Sequence, residues 1–150
     1  MGIKIIADNR KAYFDYEILE KFEAGLVLLG SEVKSLRAGN LNLKDSYVSF
    51  KGGEAFLQNA HIGEYQSSSY NNHHPERLRK LLMHKNEIHK IMGRVQEKSM
   101  SCVALKMYFK GGRIKVELGI GKGKKRHDKR ESIKNKESKR DLQRALKHSK

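Results

Sequence analysis

The sequence predicts a mainly β domain, a small closed β-barrel with short helices, followed by a basic C-terminal tail with no core of its own. Three observations predict it. Alternating apolar and polar runs recur through residues 1–121, and two pairs of them are joined by Gly-Gly; period-two alternation marks a strand with one buried face. The six Tyr and five Phe all lie at or before Phe109. The charge is skewed: residues 122–150 hold 13 Lys and Arg against 4 Asp and Glu, in a chain whose net charge is +15.

The elements follow in order. Asn9-Arg10-Lys11 opens a first strand, in which Phe14, Tyr16, Ile18 and Phe22 share one parity and Asp15, Glu17 and Lys21 the other. A short helix runs from Ser31, an N-cap residue type, to about Arg37, with Gly39 after it as a stop. Residues 46–51 and 54–62 flank Gly52-Gly53 as a hairpin. Residues 66–76 read as a polar loop, and a second helix covers roughly 85–98, with Ile88, Ile91, Met92 and Val95 on one face. A second hairpin joins Val103, Leu105, Met107 and Phe109 to Ile114, Val116, Leu118 and Ile120 through Gly111-Gly112. Gly119, Gly121 and Gly123 read as a loosened exit from the last strand, which sets the domain at 1–121. Residues 122–150 keep only Ile133, Leu142, Ala145 and Leu146 as apolar side chains. Such a segment cannot bury enough surface to offset its chain entropy, so the tail is expected to be disordered when free and to form helix on a partner. Strands in hairpins with an inserted helix point to a small barrel, and the OB-fold is the barrel of this size most associated with oligonucleotides.

The charge excess implies a polyanionic partner. No apolar run approaches the ~20 residues needed to cross a bilayer, the start of the chain is too short in apolar residues for a signal peptide, and Ile6 stands where a myristoylation signal has Ser or Thr. With Cys102 the only cysteine, no internal disulfide forms. A soluble cytoplasmic monomer is the expectation.

Catalytic and cofactor chemistry finds little support. Five of the seven His lie between residues 61 and 89, but His84 and His89 are not at helical i, i+4 spacing, and no His-Glu-x-x-His occurs. Ser31-Glu-Val-Lys34 matches Ser-x-x-Lys without the companion elements of penicillin-recognising enzymes. The spaced glycines fit neither a dinucleotide fingerprint nor a P-loop, because residue 124 is Lys and no Gly-Lys-Ser/Thr follows. Cys102 opens an apolar strand, where a small buried filler is the default. No enzyme, metal or cofactor is expected. Basic groups are richer: Arg10 and Lys11; Lys34 and Arg37; and Arg77, Arg79, Lys80 and Lys85. Three clusters of one sign suit a phosphate backbone. A general single-stranded RNA-binding barrel is the alternative, although few aromatics interleave with these clusters.

Five stretches carry a more specific signal: Asn9-Arg-Lys-Ala12; Glu23-Ala-Gly-Leu-Val-Leu-Leu-Gly-Ser-Glu-Val-Lys-Ser-Leu-Arg37; Asn42-Leu-Lys-Asp-Ser-Tyr47; Arg79-Lys-Leu-Leu-Met-His-Lys85; and Lys122-Gly-Lys-Lys-Arg-His-Asp-Lys-Arg130. Through them the chain resembles the small protein B family, the SsrA-binding proteins that partner transfer-messenger RNA (tmRNA) in bacterial ribosome rescue. Ser31 stands where many relatives carry Thr, and Met83 where many carry Leu. The resemblance implies an OB-fold that binds the tRNA-like domain of tmRNA and enters the A site of a stalled ribosome, where trans-translation tags the nascent chain. The tail would become helical in the empty mRNA channel, against small-subunit ribosomal RNA. Elongation factor Tu is a further expected partner, through the charged tmRNA. By motif, the tmRNA face would include Asn9, Lys11, Glu32, Lys34, Arg37, Leu82 and His84. Glu32 would accept hydrogen bonds from base amino groups or a ribose hydroxyl, or alternatively serve as a helix N-terminal charge. The ribosomal contact would centre on Gly123, His127, Asp128, Lys129 and Arg130.

Overall fold

Nine strands and three helices follow one another in a computed structural model that describes residues 2–65, 72–124 and Arg140. They are β1 (Ile3–Asp8), α1 (Arg10–Asp15), β2 (Tyr16–Leu26), α2 (Gly30–Arg37), β3 (Leu41–Asn42), β4 (Tyr47–Lys51), β5 (Glu54–Gln58), β6 (His61–Ile62), β7 (Arg79–Leu82), α3 (Lys85–Val95), β8 (Met100–Lys110) and β9 (Arg113–Gly123). The chain is mainly β with short helices, as expected. Six strands close a ring in the order β8-β4-β5-β7-β2-β9, because β9 pairs with both β2 and β8. β1 pairs with β8, and β3 and β6 form a separate two-stranded sheet.

Both Gly-Gly hairpins form, but the strand expected over 54–62 ends at Gln58, and His61–Ile62 join the separate β3–β6 sheet. Gly52 and Gly53 have φ of 60° and 77°, Gly111 and Gly112 of 56° and 75°. Positive φ at both central positions is what a type I′ turn requires, and its twist matches that of the flanking strands. The tight turns fix the β4–β5 register over its whole length and the β8–β9 register from Lys110↔Arg113 as far as the pair Lys106↔Glu117. Elsewhere the ring is closed more sparingly: β4 meets β8 at the single pair Tyr47↔Val103, and β7 meets β2 at two.

The simple parity expected for the two longest strands is broken by bulges. In β2 the register shifts between Ile18 and Glu20, and in β8 between Ala104 and Lys106. One inserted residue moves every following side chain to the other face. Tyr16 and Ile18 therefore join Ala12, Val103 and Leu105 in a small outer cluster, while Phe22 packs on the main core of Ala24, Cys102, Ala104, Met107, Val116, Leu118 and Ile120. The alternation Val103-Leu105-Met107 does not describe one face; Cys102, Ala104 and Met107 do. Cys102 is the buried filler expected, and burial pushes its thiol up to about 12. α3 buries Ile88 and Ile91 against the same core, with Met92 and Val95 packed at its edge.

Three local expectations are corrected. Residues 10–15 form a helix instead of the start of a strand, because the Asn9 side-chain oxygen accepts from Ala12 N–H at 3.2 Å and nucleates a turn. Ser31 lies inside α2 and does not cap it; the Glu32 carboxylate instead takes the Leu29 N–H at 2.8 Å. The glycines of β9 are not a loosened exit. A Cβ on Gly119 would sit 2.7 Å from Leu105 Cδ1, and one on Gly121 2.7 Å from Tyr16 Cβ, so both mark close packing of β8 and β2 across β9. Pairing continues to Gly123, past the expected boundary at residue 121, and Lys124 N–H reaches Asp15 C=O at 2.9 Å. Apart from Arg140, the expected disordered tail from residue 125 onward lies outside the described residues.

Candidate nucleic-acid interface

α2 carries two of the exposed cations that the sequence singled out. Its inner side is buried: Glu32, Ser35 and Leu36 are each 1% exposed or less. Its outer side presents Lys34 and Arg37. Neither makes an ion pair among the described residues; Lys34 Nζ lies 5.5 Å from the centre of the Tyr65 ring. Tyr65 is itself held by Asn72, whose side chain pairs with both its backbone N–H and its C=O.

Beneath α2 sits a buried ionic cluster. Glu32 Oε1 accepts from Arg77 Nη2 and Glu32 Oε2 from Arg79 Nε, both at 2.6 Å. Arg79 is fully buried, and its remaining donors go to the carbonyls of Ala60 and Pro75 at 2.6 and 3.0 Å. Burial alone would raise the Glu32 carboxyl, but donors from Arg77, Leu29 N–H and Arg79 outweigh it and hold the group below its ordinary value. Burial pulls Arg79 below the usual guanidinium value, with Glu32 opposing. His73, 4% exposed, adds a second tie: one ring nitrogen lies 2.9 Å from the Ser31 hydroxyl and the other 2.8 Å from Ile62 C=O. Four segments (α2, the turn at Ala60, the Pro75–Arg77 stretch and β7) are thereby fixed to each other.

Asn9 is placed inside the protein rather than on a face. It is 5% exposed, and its amide donates to Leu43 C=O at 3.0 Å and Ala104 C=O at 2.8 Å while its own N–H reaches Leu105 C=O at 2.7 Å. It thus satisfies the two carbonyls at the β8 bulge. Lys11 is exposed, but its ammonium is bonded to Asp45 at 2.6 Å, which raises its pKa. Beside it opens a cavity of about 380 Å³ bordered by Asp45, Tyr47 and Ser101. Leu82 is 53% exposed at the end of β7, and His84 is exposed immediately ahead of α3. Gly123 ends β9, its N–H on Ser99 C=O at 3.0 Å. His127, Asp128, Lys129 and Arg130 lie outside the described residues.

Of the expected face, the structure therefore exposes Lys11, Lys34, Arg37, Leu82 and His84, and withdraws Asn9 and Glu32. The third basic cluster is mostly consumed: Arg77 and Arg79 serve Glu32, Lys80 is paired with Glu54 at 3.0 Å, and Lys85 stays exposed without an ion pair among the described residues. Strand parity carried that signal, since Arg79 shares the inward side of β7 with buried Leu81. Among the described residues no His, Cys, Asp or Glu group could hold a metal ion, and no helix is long and apolar enough to cross a membrane.

The SmpB protein family model matches residues 6–148. An SsrA-binding protein of Bdellovibrio bacteriovorus is 58% identical over 99% of this chain and 97% of that protein. One of Microcystis aeruginosa is 59% identical over 97% of this chain and 95% of the relative. A solved structure, described as "tmRNA-SmpB: a journey to the center of the bacterial ribosome", superposes with a TM-score of 0.69 at 46% identity, covering 85% of this chain and 93% of that one. With a family match over nearly its whole length and such relatives, the chain belongs to the SmpB family.

Proposed function

We propose that this protein binds the tRNA-like domain of tmRNA and delivers it to the A site of stalled ribosomes for trans-translation. The observation that carries the reading is the near full-length match to SsrA-binding proteins. The geometry adds a physical basis: α2, locked from below by Glu32, Arg77 and Arg79, offers Lys34 and Arg37 to a phosphate backbone. Folded RNA hides most base edges, so shape and phosphate contacts dominate docking. Lys11, Lys34, Arg37, Leu82 and His84 act as contacts, whereas Asn9 and Glu32 act through the scaffold. The strand ring is an OB-type barrel that works as a monomer in the cytoplasm without catalysing a reaction. The tail from residue 122, through Gly123, His127, Asp128, Lys129 and Arg130, meets ribosomal RNA, and elongation factor Tu joins through the charged tmRNA.

A competition assay tests this against a general single-strand binder. Labelled tmRNA bound to the protein should resist displacement by excess unstructured RNA, and its affinity should fall as salt rises. Equal displacement by unstructured RNA, or salt-insensitive binding, would refute the reading.

A further inference from the structure

β1 is the end of its sheet. One of its edges pairs with β8 from Lys106 to Lys110, and no strand among the described residues pairs with the other. A free edge presents backbone N–H and C=O groups in the alternation that a further extended chain completes. The first half of β1 is also open on both faces. Gly2, Ile3, Lys4 and Ile5 are all exposed, Ile3 by 53% and Ile5 by 49%. Ile3 and Ile5 share one face, opposite Lys110 and Tyr108, and Lys4 lies on the other, opposite Phe109. The second half differs: the register slips between Ile5 and Ala7, and Ile6 packs against the main core. The stretch able to accept a further strand is therefore residues 2–5.

Charge selects the occupant. Lys106 and Lys110 on β8 are held by Glu117 and Glu23, whereas Lys4 has no ion pair among the described residues. Directly opposite residues of an antiparallel pair meet on one face of the sheet, and like charges there are destabilising. A second copy of β1 in the register that sets Ile3 on Ile5 would place Lys4 opposite Lys4. The register that sets Ile5 on Ile5 would bring Ile3 onto Ala7, which lies past the bulge and pairs with Met107 of the core; the bulge has turned that side chain to the other face. Lys4 and the bulge thus disfavour self-pairing. A strand with a carboxylate opposite Lys4 and apolar residues on either side of it meets neither obstacle. Nucleic acid lacks the alternating N–H and C=O groups that the edge calls for, so a protein chain is favoured.

We propose that the free edge of β1 is a docking site for a protein partner that adds an extended acidic segment to the sheet. The backbone of that segment pairs with residues 2–5, a Glu or Asp meets Lys4, and the apolar side chains flanking it pack on Ile3 and Ile5. Main-chain hydrogen bonds supply the attraction and the alternate side chains supply the choice of partner.

The test uses the full-length protein, amide NMR and two short peptides, one alternating Val with Glu and one alternating Val with Lys. The Val-Glu peptide should shift the amide signals of Ile3, Lys4 and Ile5 and bind more tightly than the Val-Lys peptide by about two- to fivefold, the worth of one cross-strand charge pair. In Lys4→Glu, an exchange at an exposed position, the order of the two peptides should reverse. Methylating the backbone nitrogens of the Val-Glu peptide should abolish its binding. Undiminished binding of the methylated peptide would mean attraction to positive charge without strand addition, and would overturn the proposal. Equal binding of the two peptides, or shifts that leave β1 untouched, would overturn it as well. Sedimentation of the wild type as a dimer held through β1 would give the edge to a second copy, and shifts of the β1 amides by a tmRNA transcript but not by the peptide would give it to RNA; either result would refute the acidic strand.

Discussion

A carboxylate with no exposure survives only where donors and cations replace its water, and Glu32 has the Leu29 N–H and two arginines to do so. Substituting Glu32→Gln keeps an acceptor for Leu29 but strands Arg79, fully buried, with no counter-charge. Breaking such a pair from one side typically costs about 3–5 kcal/mol. Stability should fall by that order at pH 7 in urea denaturation. Because the folded-state carboxyl is held below its ordinary value, its contribution is present above the unfolded pKa of about 4.3 and is lost as pH drops through the folded one. The gap between wild type and variant should therefore narrow toward acid; a gap constant from pH 7 down through acid would show that the charge pair contributes nothing. The alternative reading of Glu32 as a helix N-terminal charge was legible and holds, but its burial in an ionic cluster was not: its partners Arg77 and Arg79 lie 45 and 47 residues away, and nothing local distinguishes a buried carboxylate from one on an RNA face. Asn9 teaches the same lesson, since apart from the local Ala12 N–H its backbone partners Leu43, Ala104 and Leu105 are all remote.

At the level of elements, both hairpins were readable because Gly-Gly between alternating runs dictates turn type and register together. Bulges were not, because an inserted residue leaves no local signature in an apolar strand and shows itself only through which face each side chain meets. Gly119 and Gly121 sit at this point of failure. As sequence they loosen the chain; in the sheet they let β2 and β8 close over β9. A methyl on Gly121 would collide with Tyr16 Cβ, an atom next to the backbone that cannot swing away. Gly121→Ala should destabilise by about 1–3 kcal/mol. Gly123→Ala, whose methyl would find only Ser99 C=O at 3.9 Å, should change stability by less than about 0.5 kcal/mol, as at an ordinary exposed site. Equal effects in chemical denaturation would mean that the glycines of β9 are there for freedom after all.

Over the whole molecule, positive charge is partitioned by use. Within the fold many cations are consumed internally: Lys11, Lys21, Arg77, Arg79, Lys80, Lys90, Arg94, Lys106 and Lys110 all have carboxylate partners. Net charge therefore overstates the binding surface of the domain. From residue 122 onward, by contrast, 13 basic residues face only 4 acidic ones, so most of that charge cannot be compensated within the segment. The two regions should then be separable. The last strand ends at Gly123, and Lys124 is tied to the α1 region through Asp15 C=O and, at 3.1 Å from its ammonium, Tyr13 C=O. Truncation after Lys125 thus leaves every strand of the ring and the α2 surface complete. The truncated protein should bind tmRNA within about twofold of the full chain, because the lost cations are not among the contacts that set its register. It should fail to support tagging in a reconstituted translation reaction with stalled ribosomes, since the segment proposed to meet ribosomal RNA is gone. Gel-shift titration and tagging measured on the same preparation decide it: loss of tmRNA binding on truncation would place the recognition charge in the tail, and tagging at full-length efficiency would leave the tail without the ribosomal role proposed for it.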